Sequence, residues 1–254
     1  RHIDWKLYAR TDKLFVKRYE EETNLRCRIV LDTSSSMYFP KLKKPTIGNP
    51  NKILYSICCA AALMNLLKRQ RDAVGLSFFS DLVELHTPEK TTTQHHQLLL
   101  YELEKIWLNQ PLNKKTCVVD ALHEIAEKIH KRSLVILFTD MMDNSEKSDE
   151  LFAALQHLKF NKHEVVLFHV SERNNEIDFN YENRPHKFID LESGEEINIS
   201  PREIRSHYKQ QLNNFLKELK LKCAQYKIDL LEVDINKGFH PVLLSYLLKR
   251  EKLF

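Results

Sequence analysis

Short apolar runs that alternate with longer stretches of helical period constrain this chain most. Leu134–Phe138 is apolar throughout. A strand with one wet face alternates polar and apolar residues, so an unbroken run belongs in a sheet covered on both sides. Further strands are expected over Leu25–Leu31, Ala73–Phe79, Glu164–Val170 and Ile228–Ile235, with Leu82–His86 returning antiparallel across a tight turn at Ser80-Asp81. Between them, Asn51 is placed to cap a helix running to about Arg69, with Lys68, Arg69 and Arg71 near its negative end. Helical spacing also marks Gln94–Trp107 through Leu98, Leu99, Leu103, Ile106 and Trp107, then Val118–Ile129 and Asp149–Leu158. Alternation of this kind predicts an α/β fold: a doubly wound, mostly parallel sheet of order 3-2-1-4-5-6 with helices on both faces.

The C-terminal third changes character. Glu172–Pro185 is polar and reads as a loop, and His186–Ile199 as a small β-hairpin turning at Ser193-Gly194. Ser200-Pro201-Arg202-Glu203 has the pattern of a capping box with proline at the first helical position. It opens a long amphipathic helix through Ile204, Tyr208, Leu212, Phe215, Leu219 and Cys223, and Pro241–Arg250 reads as a closing helix. No linker divides the chain into two large domains.

At 254 residues with net charge +4, the basic side chains are interleaved with acids and read as a solvated surface, which argues against nucleic acid as a partner. Cys27, Cys58, Cys59, Cys117 and Cys223 form no C-x-x-C pair, as expected of reduced thiols in a cytoplasmic setting. No apolar stretch reaches the roughly 20 residues that span a bilayer; the nearest, Ile53–Leu67, contains Ser56 and Asn65 and reads as a core helix. The chain starts at Arg1 rather than Met, so an upstream segment is expected, and the lack of a membrane anchor applies to the residues shown.

The chemistry concentrates where the first strand ends. Asp32-Thr33-Ser34-Ser35-Ser36 directly follows Ile29-Val30-Leu31, giving D-x-S-x-S on a loop at a strand terminus. One carboxylate and two hydroxyls, two residues apart, offer hard oxygens of the kind Mg²⁺ takes. Thr116, ahead of a helix, and Asp140, after Leu134–Phe138, could complete the set, because the order 3-2-1-4-5-6 lays the first and fourth strands side by side at the reversal point. Singly, each of these residues is an ordinary cap or turn residue. His95, His96, His123, His130 and His169 lack partners at zinc spacing, and His169 reads as a satisfied core histidine.

With Asp32, Ser34, Ser36, Thr116 and Asp140 in sequence order, the chain resembles a von Willebrand factor type A domain carrying a metal-ion-dependent adhesion site. A narrower likeness covers nearly the whole chain. Arg1-His2-Ile3-Asp4-Trp5-Lys6, Ala9-Arg10, Leu14–Glu22, Ile189–Gly194 and Tyr246–Arg250 resemble the bacterial family known as domain of unknown function 58. The resemblance implies a Rossmann-like sheet in residues 25–254, with 1–24 as a family-specific segment packing on it. Within that segment Trp5 is expected as a packing anchor and Leu14–Tyr19 as an alternating strand. It also implies a divalent cation, Mg²⁺ with Mn²⁺ or Ca²⁺ as alternatives, and a protein partner presenting Asp or Glu to the metal. That partner is expected to be a MoxR-type AAA ATPase. One departure is Met141-Met142-Asp143 after Asp140, where many adhesion-type domains have small residues; Asp143 is expected in solvent.

Three functions compete. The first is the metal-dependent binding module, which is not an enzyme. The second is a phosphohydrolase using Asp32 as nucleophile; it needs an acid two residues on, where Ser34 stands, and a phosphate loop that four glycines do not provide. The third is a scaffold with a vestigial metal site.

Overall fold

The structure, a computed structural model, describes residues 5–13, 25–109, 118–141, 148–191, 194–240 and 243–244. After a short helix α1 (Trp5–Thr11) come β1 (Arg26–Asp32), α2 (Lys52–Arg69), β2 (Ala73–Phe79), β3 (Val83–His86), α3 (Thr93–Leu108) and α4 (Val118–Lys128). There follow β4 (Leu134–Thr139), α5 (Ser148–Phe160), β5 (Glu164–Ser171), β6 (His186–Ile189), β7 (Glu196–Ile199), α6 (Pro201–Tyr226) and β8 (Asp229–Asp234). The main sheet runs β3-β2-β1-β4-β5-β8, parallel except for the β3 edge, and β6-β7 form a separate antiparallel hairpin. This is the expected doubly wound order, the sixth sheet strand being the eighth in the chain because the hairpin intervenes.

Side-chain alternation along the strands divides the core in two. Ile29, Leu31, Ile136 and Phe138 face α2 and α3, whereas Val30, Val135 and Leu137 face α4, α5 and α6. All seven are fully buried, as unbroken apolar strands require. Asn51 caps α2 by accepting from the Leu54 N–H at 3.0 Å. In α3, Leu99 and Leu103 are buried and Ile106 packs on the core, but Leu98 and Trp107 are exposed, so the inward stripe is narrower than the spacing suggests.

Several expectations are corrected. Ser200 caps α6 without a side-chain hydrogen bond; Pro201 in the first turn starts the helix, and the Glu203 N–H donates to the Ser200 carbonyl. Glu172–Pro185 is not a plain polar loop. Glu172 caps a π-helical turn, Arg173–Ile177, by accepting from the Asn174 and Asn175 N–H groups, and Phe179 beyond it is buried against Tyr208 of α6.

Two cations are not at the surface. Arg28 lies beneath Gly75, its register partner on β2, and is ion-paired with Glu89. Lys52, the first residue of α2, is completely buried. The closing helix over 241–250 falls largely outside the described residues, as do the expected strand at 14–19 and the side chain of Trp5.

Candidate functional site

β1 and β4 are parallel neighbours, with Leu31 opposite Phe138, so Asp32 and Asp140 lie at the same, C-terminal end of adjacent strands. The rest of the site follows from how the loop after β1 is held. Thr33 donates its N–H to the Phe79 carbonyl at 2.7 Å and its hydroxyl to the same oxygen at 2.9 Å, which anchors the loop to the end of β2. A 3₁₀ turn, Ser35–Tyr38, then curls the chain back. As a result the Ser34 and Ser36 hydroxyls hydrogen-bond to each other, their oxygens 3.0 Å apart.

Asp32 is fully buried, and both its oxygens are engaged. Oδ1 accepts from the Ser34 N–H at 3.0 Å and Oδ2 from the Thr139 hydroxyl at 2.7 Å. Burial first, then the charge of Asp140, raise its pKa to about 7 despite these hydrogen bonds. Two buried acids that repel each other favour a positive charge nearby.

The structure gives Asp140 a partner that its sequence position does not suggest. Lys52 Nζ donates to Asp140 Oδ2 at 2.7 Å and also to Glu176 Oε1. Burial by itself pushes the Lys52 ammonium down, but Asp140 and then Glu176 more than offset it, so the net shift is upward and the group stays charged. Burial likewise holds the Glu176 carboxyl above its ordinary range, against the pull of Lys52. Glu176 Oε2 accepts from the Glu172 N–H at 2.7 Å, and Glu172 Oε1 accepts from Asn236 Nδ2 at 2.6 Å, tying the turn after β5 to the turn after β8.

His169 is the core histidine expected, but it is satisfied only in part: it hydrogen-bonds the Asp140 backbone, while its Nε2 is buried with no hydrogen-bond partner among the described residues, and burial pushes its pKa down. Met141, next to Asp140, is buried with φ of 53°, a left-handed conformation unusual for a side chain this large. Its N–H donates to Thr139 Oγ1 at 3.0 Å, so Thr139 links Asp32 to the backbone that carries Asp140.

Of the five expected ligands, Asp32, Ser34 and Ser36 are therefore together, and Asp140 sits at the adjoining strand end in an ion pair. Thr116 lies outside the described residues, as do Cys117 and Asp143. The donor set fits a small dication: two oxygens bound at right angles about 2.0–2.1 Å from Mg²⁺ stand ~3.0 Å apart, the separation of the serine hydroxyls. Among the described residues no group of three or more His, Cys, Asp or Glu side chains could hold a metal, so a zinc-type site is not formed there. His123 and His157 do meet, Nδ1 to Nδ1 at 2.7 Å, across α4 and α5, a pairing the sequence spacing did not suggest.

Sequence reasoning missed Lys52, Glu172 and Glu176. The one available signal was that Lys52 directly follows the α2 cap, at a helix N-terminus where a cation is disfavoured unless an anion awaits it.

A mostly parallel sheet with one antiparallel edge strand and helices on both faces is a von Willebrand factor type A-like fold. The family model described as "Protein of unknown function DUF58" matches residues 1–215, and the chain belongs to that family. Solved structures share the fold at low identity. A conserved hypothetical protein, BatB, from Bacteroides thetaiotaomicron is 13% identical with TM-score 0.51, over 83% of this chain and 91% of that one. An aerotolerance-related membrane protein from Bacteroides fragilis is 14% identical with TM-score 0.53, over 87% and 98%. A point mutant of the PilB minor pilin from Streptococcus sanguinis is 8% identical with TM-score 0.51, over 93% and 63%. No curated protein matches the chain. Among the described residues no helix is long and apolar enough to cross a membrane.

Proposed function

We propose that this chain is a divalent-metal-dependent protein-interaction module. Its site takes Mg²⁺ through Ser34 and Ser36, with Asp32 and Asp140 acting largely through water and Thr116 as a further hydroxyl donor. The observation that carries this reading is the hydrogen-bonded pair of serine hydroxyls, 3.0 Å apart, beside the buried Asp32. Neutral ligands leave most of the metal's charge uncompensated, so an open coordination position favours a carboxylate from another protein. Binding is favoured over phosphoryl transfer because Ser34 occupies the position where a general acid would be needed. In addition, both Asp32 oxygens already accept hydrogen bonds.

The partner is a protein presenting Asp or Glu. By family resemblance it is a MoxR-type AAA ATPase, with the module acting as adaptor in assembly or maturation, in the cytoplasm. Among the described residues Cys58, Cys59 and Cys223 form no disulfide, which accords with a reducing compartment. Affinity capture from cell extract with millimolar Mg²⁺ or with EDTA tests this. An ATPase recovered by wild type in Mg²⁺, and lost both in EDTA and with Asp32→Ala, is the expected result. Equal recovery in both buffers would instead support a scaffold with a vestigial site.

A further inference from the structure

We propose that Lys52 is a tethered counter-cation of the metal site: its ammonium holds Asp140 in an ion pair and keeps the site's affinity for free metal low. This rests on the metal-binding reading above and adds a residue to it. Lys52 is fully buried at the first position of α2, where the helix dipole gives an ammonium no support. It is kept there by two carboxylates from distant segments, Asp140 after β4 and Glu176 in the turn after β5. Glu176 is itself fixed by the Glu172 N–H, and Glu172 by Asn236, so the anion that shares Lys52 cannot swing away.

A dication beside Ser34 and Ser36 must therefore approach a fixed positive charge, and it meets an Asp140 whose Oδ2 already accepts from Lys52 Nζ. Both effects weaken capture of the metal alone. A partner carboxylate adds the missing negative charge, so metal and acidic partner bind more tightly together than either does separately. Lys52 acts on the metal through Asp140 and through its field, as a positioning residue.

The test is titration with MnCl₂, read by electron paramagnetic resonance of free Mn²⁺, on wild type, Lys52→Met and Lys52→Met/Glu176→Gln. The double variant keeps the wild-type charge count around the site and protects against a single variant that fails to fold. Both variants are expected to bind Mn²⁺ roughly tenfold or more tightly than wild type. In wild type, the lysine ¹⁵Nζ signal protected by burial is expected to shift when Mg²⁺ is added. Equal or weaker binding by the variants, or a Lys52 signal indifferent to bound Mg²⁺, overturns the role of Lys52 and leaves the metal site standing. Binding by the variants but not by wild type supports the tethered cation and confines metal capture by the native chain to a complex in which the partner supplies the missing negative charge. If none of the three binds Mn²⁺ at millimolar concentration, both proposals fail together.

Discussion

Replacing Asp32 with Asn should make the metal-free protein more stable at pH 8, although it removes a residue at the heart of the site. The Asp32 carboxyl rises from its ordinary 3.8 to about 7 through burial and the neighbouring charge of Asp140. A carboxyl whose folded pKa lies above its unfolded one favours folding only while protonated. Its contribution is thus complete below about pH 4 and is lost as pH climbs through 7. A rise of about 3 units corresponds to roughly 4 kcal/mol lost by wild type at pH 8.

Asn escapes that loss but cannot accept at both ends. Its oxygen can keep the Ser34 N–H, while its amide would face Thr139 Oγ1, which already accepts from Met141. That mismatch costs about 1 kcal/mol, leaving a net gain near 3 kcal/mol at pH 8 and a small deficit at pH 4. Urea unfolding in EDTA at the two pH values measures it. Adding Mg²⁺ should raise the wild-type midpoint and leave Asp32→Asn unmoved. A variant less stable than wild type at pH 8 in EDTA would refute the view that Asp32 is an uncompensated anion awaiting a cation.

Three further outcomes follow from the same structure. Ser36→Ala removes one of the paired hydroxyls and should weaken Mn²⁺ binding at least about tenfold, while the urea midpoint shifts by less than about 1 kcal/mol because Ser36 is half-buried. Gly75→Ala would set a Cβ 2.8 Å from the Arg28 guanidinium carbon, which Glu89 and the Leu76 and Thr87 carbonyls hold in place; a loss of about 1–3 kcal/mol in chemical unfolding is expected. Lys227→Gly should raise the melting temperature by about 2–4 °C, because Lys227 ends α6 in a left-handed conformation, φ 56° and ψ 44°, that glycine adopts freely.

What was legible in the sequence was local. Leu134–Phe138 declares a doubly covered strand without reference to any other residue, and the Asp32-Ser34-Ser36 spacing is contained in one loop, so strand order and the core of the site could be read together. The order of the sheet then accounts for why Asp140 lies beside that loop.

Lys52 was hidden because its meaning depends on pairings 88 and 124 positions away. On its own it is one more lysine in an amphipathic helix. Glu172 and Glu176 sit in a stretch whose polarity suggests solvent, yet they are consumed internally by turn N–H groups, Asn236 and Lys52. Arg28 did carry a signal: a charged residue between Cys27 and Ile29 in a buried strand demands a partner. However, neither Glu89 nor the space above Gly75 could be assigned before the register was known.

Calorimetric titration of the intact protein with MgCl₂ at pH 8, with Asp32→Ala alongside, addresses the metal site most directly. Saturable heat from one site at millimolar or lower Mg²⁺, absent in the variant, is the predicted result. An undiminished signal from Asp32→Ala, or traces no different from buffer dilution from wild type and from Lys52→Met alike, would contradict it.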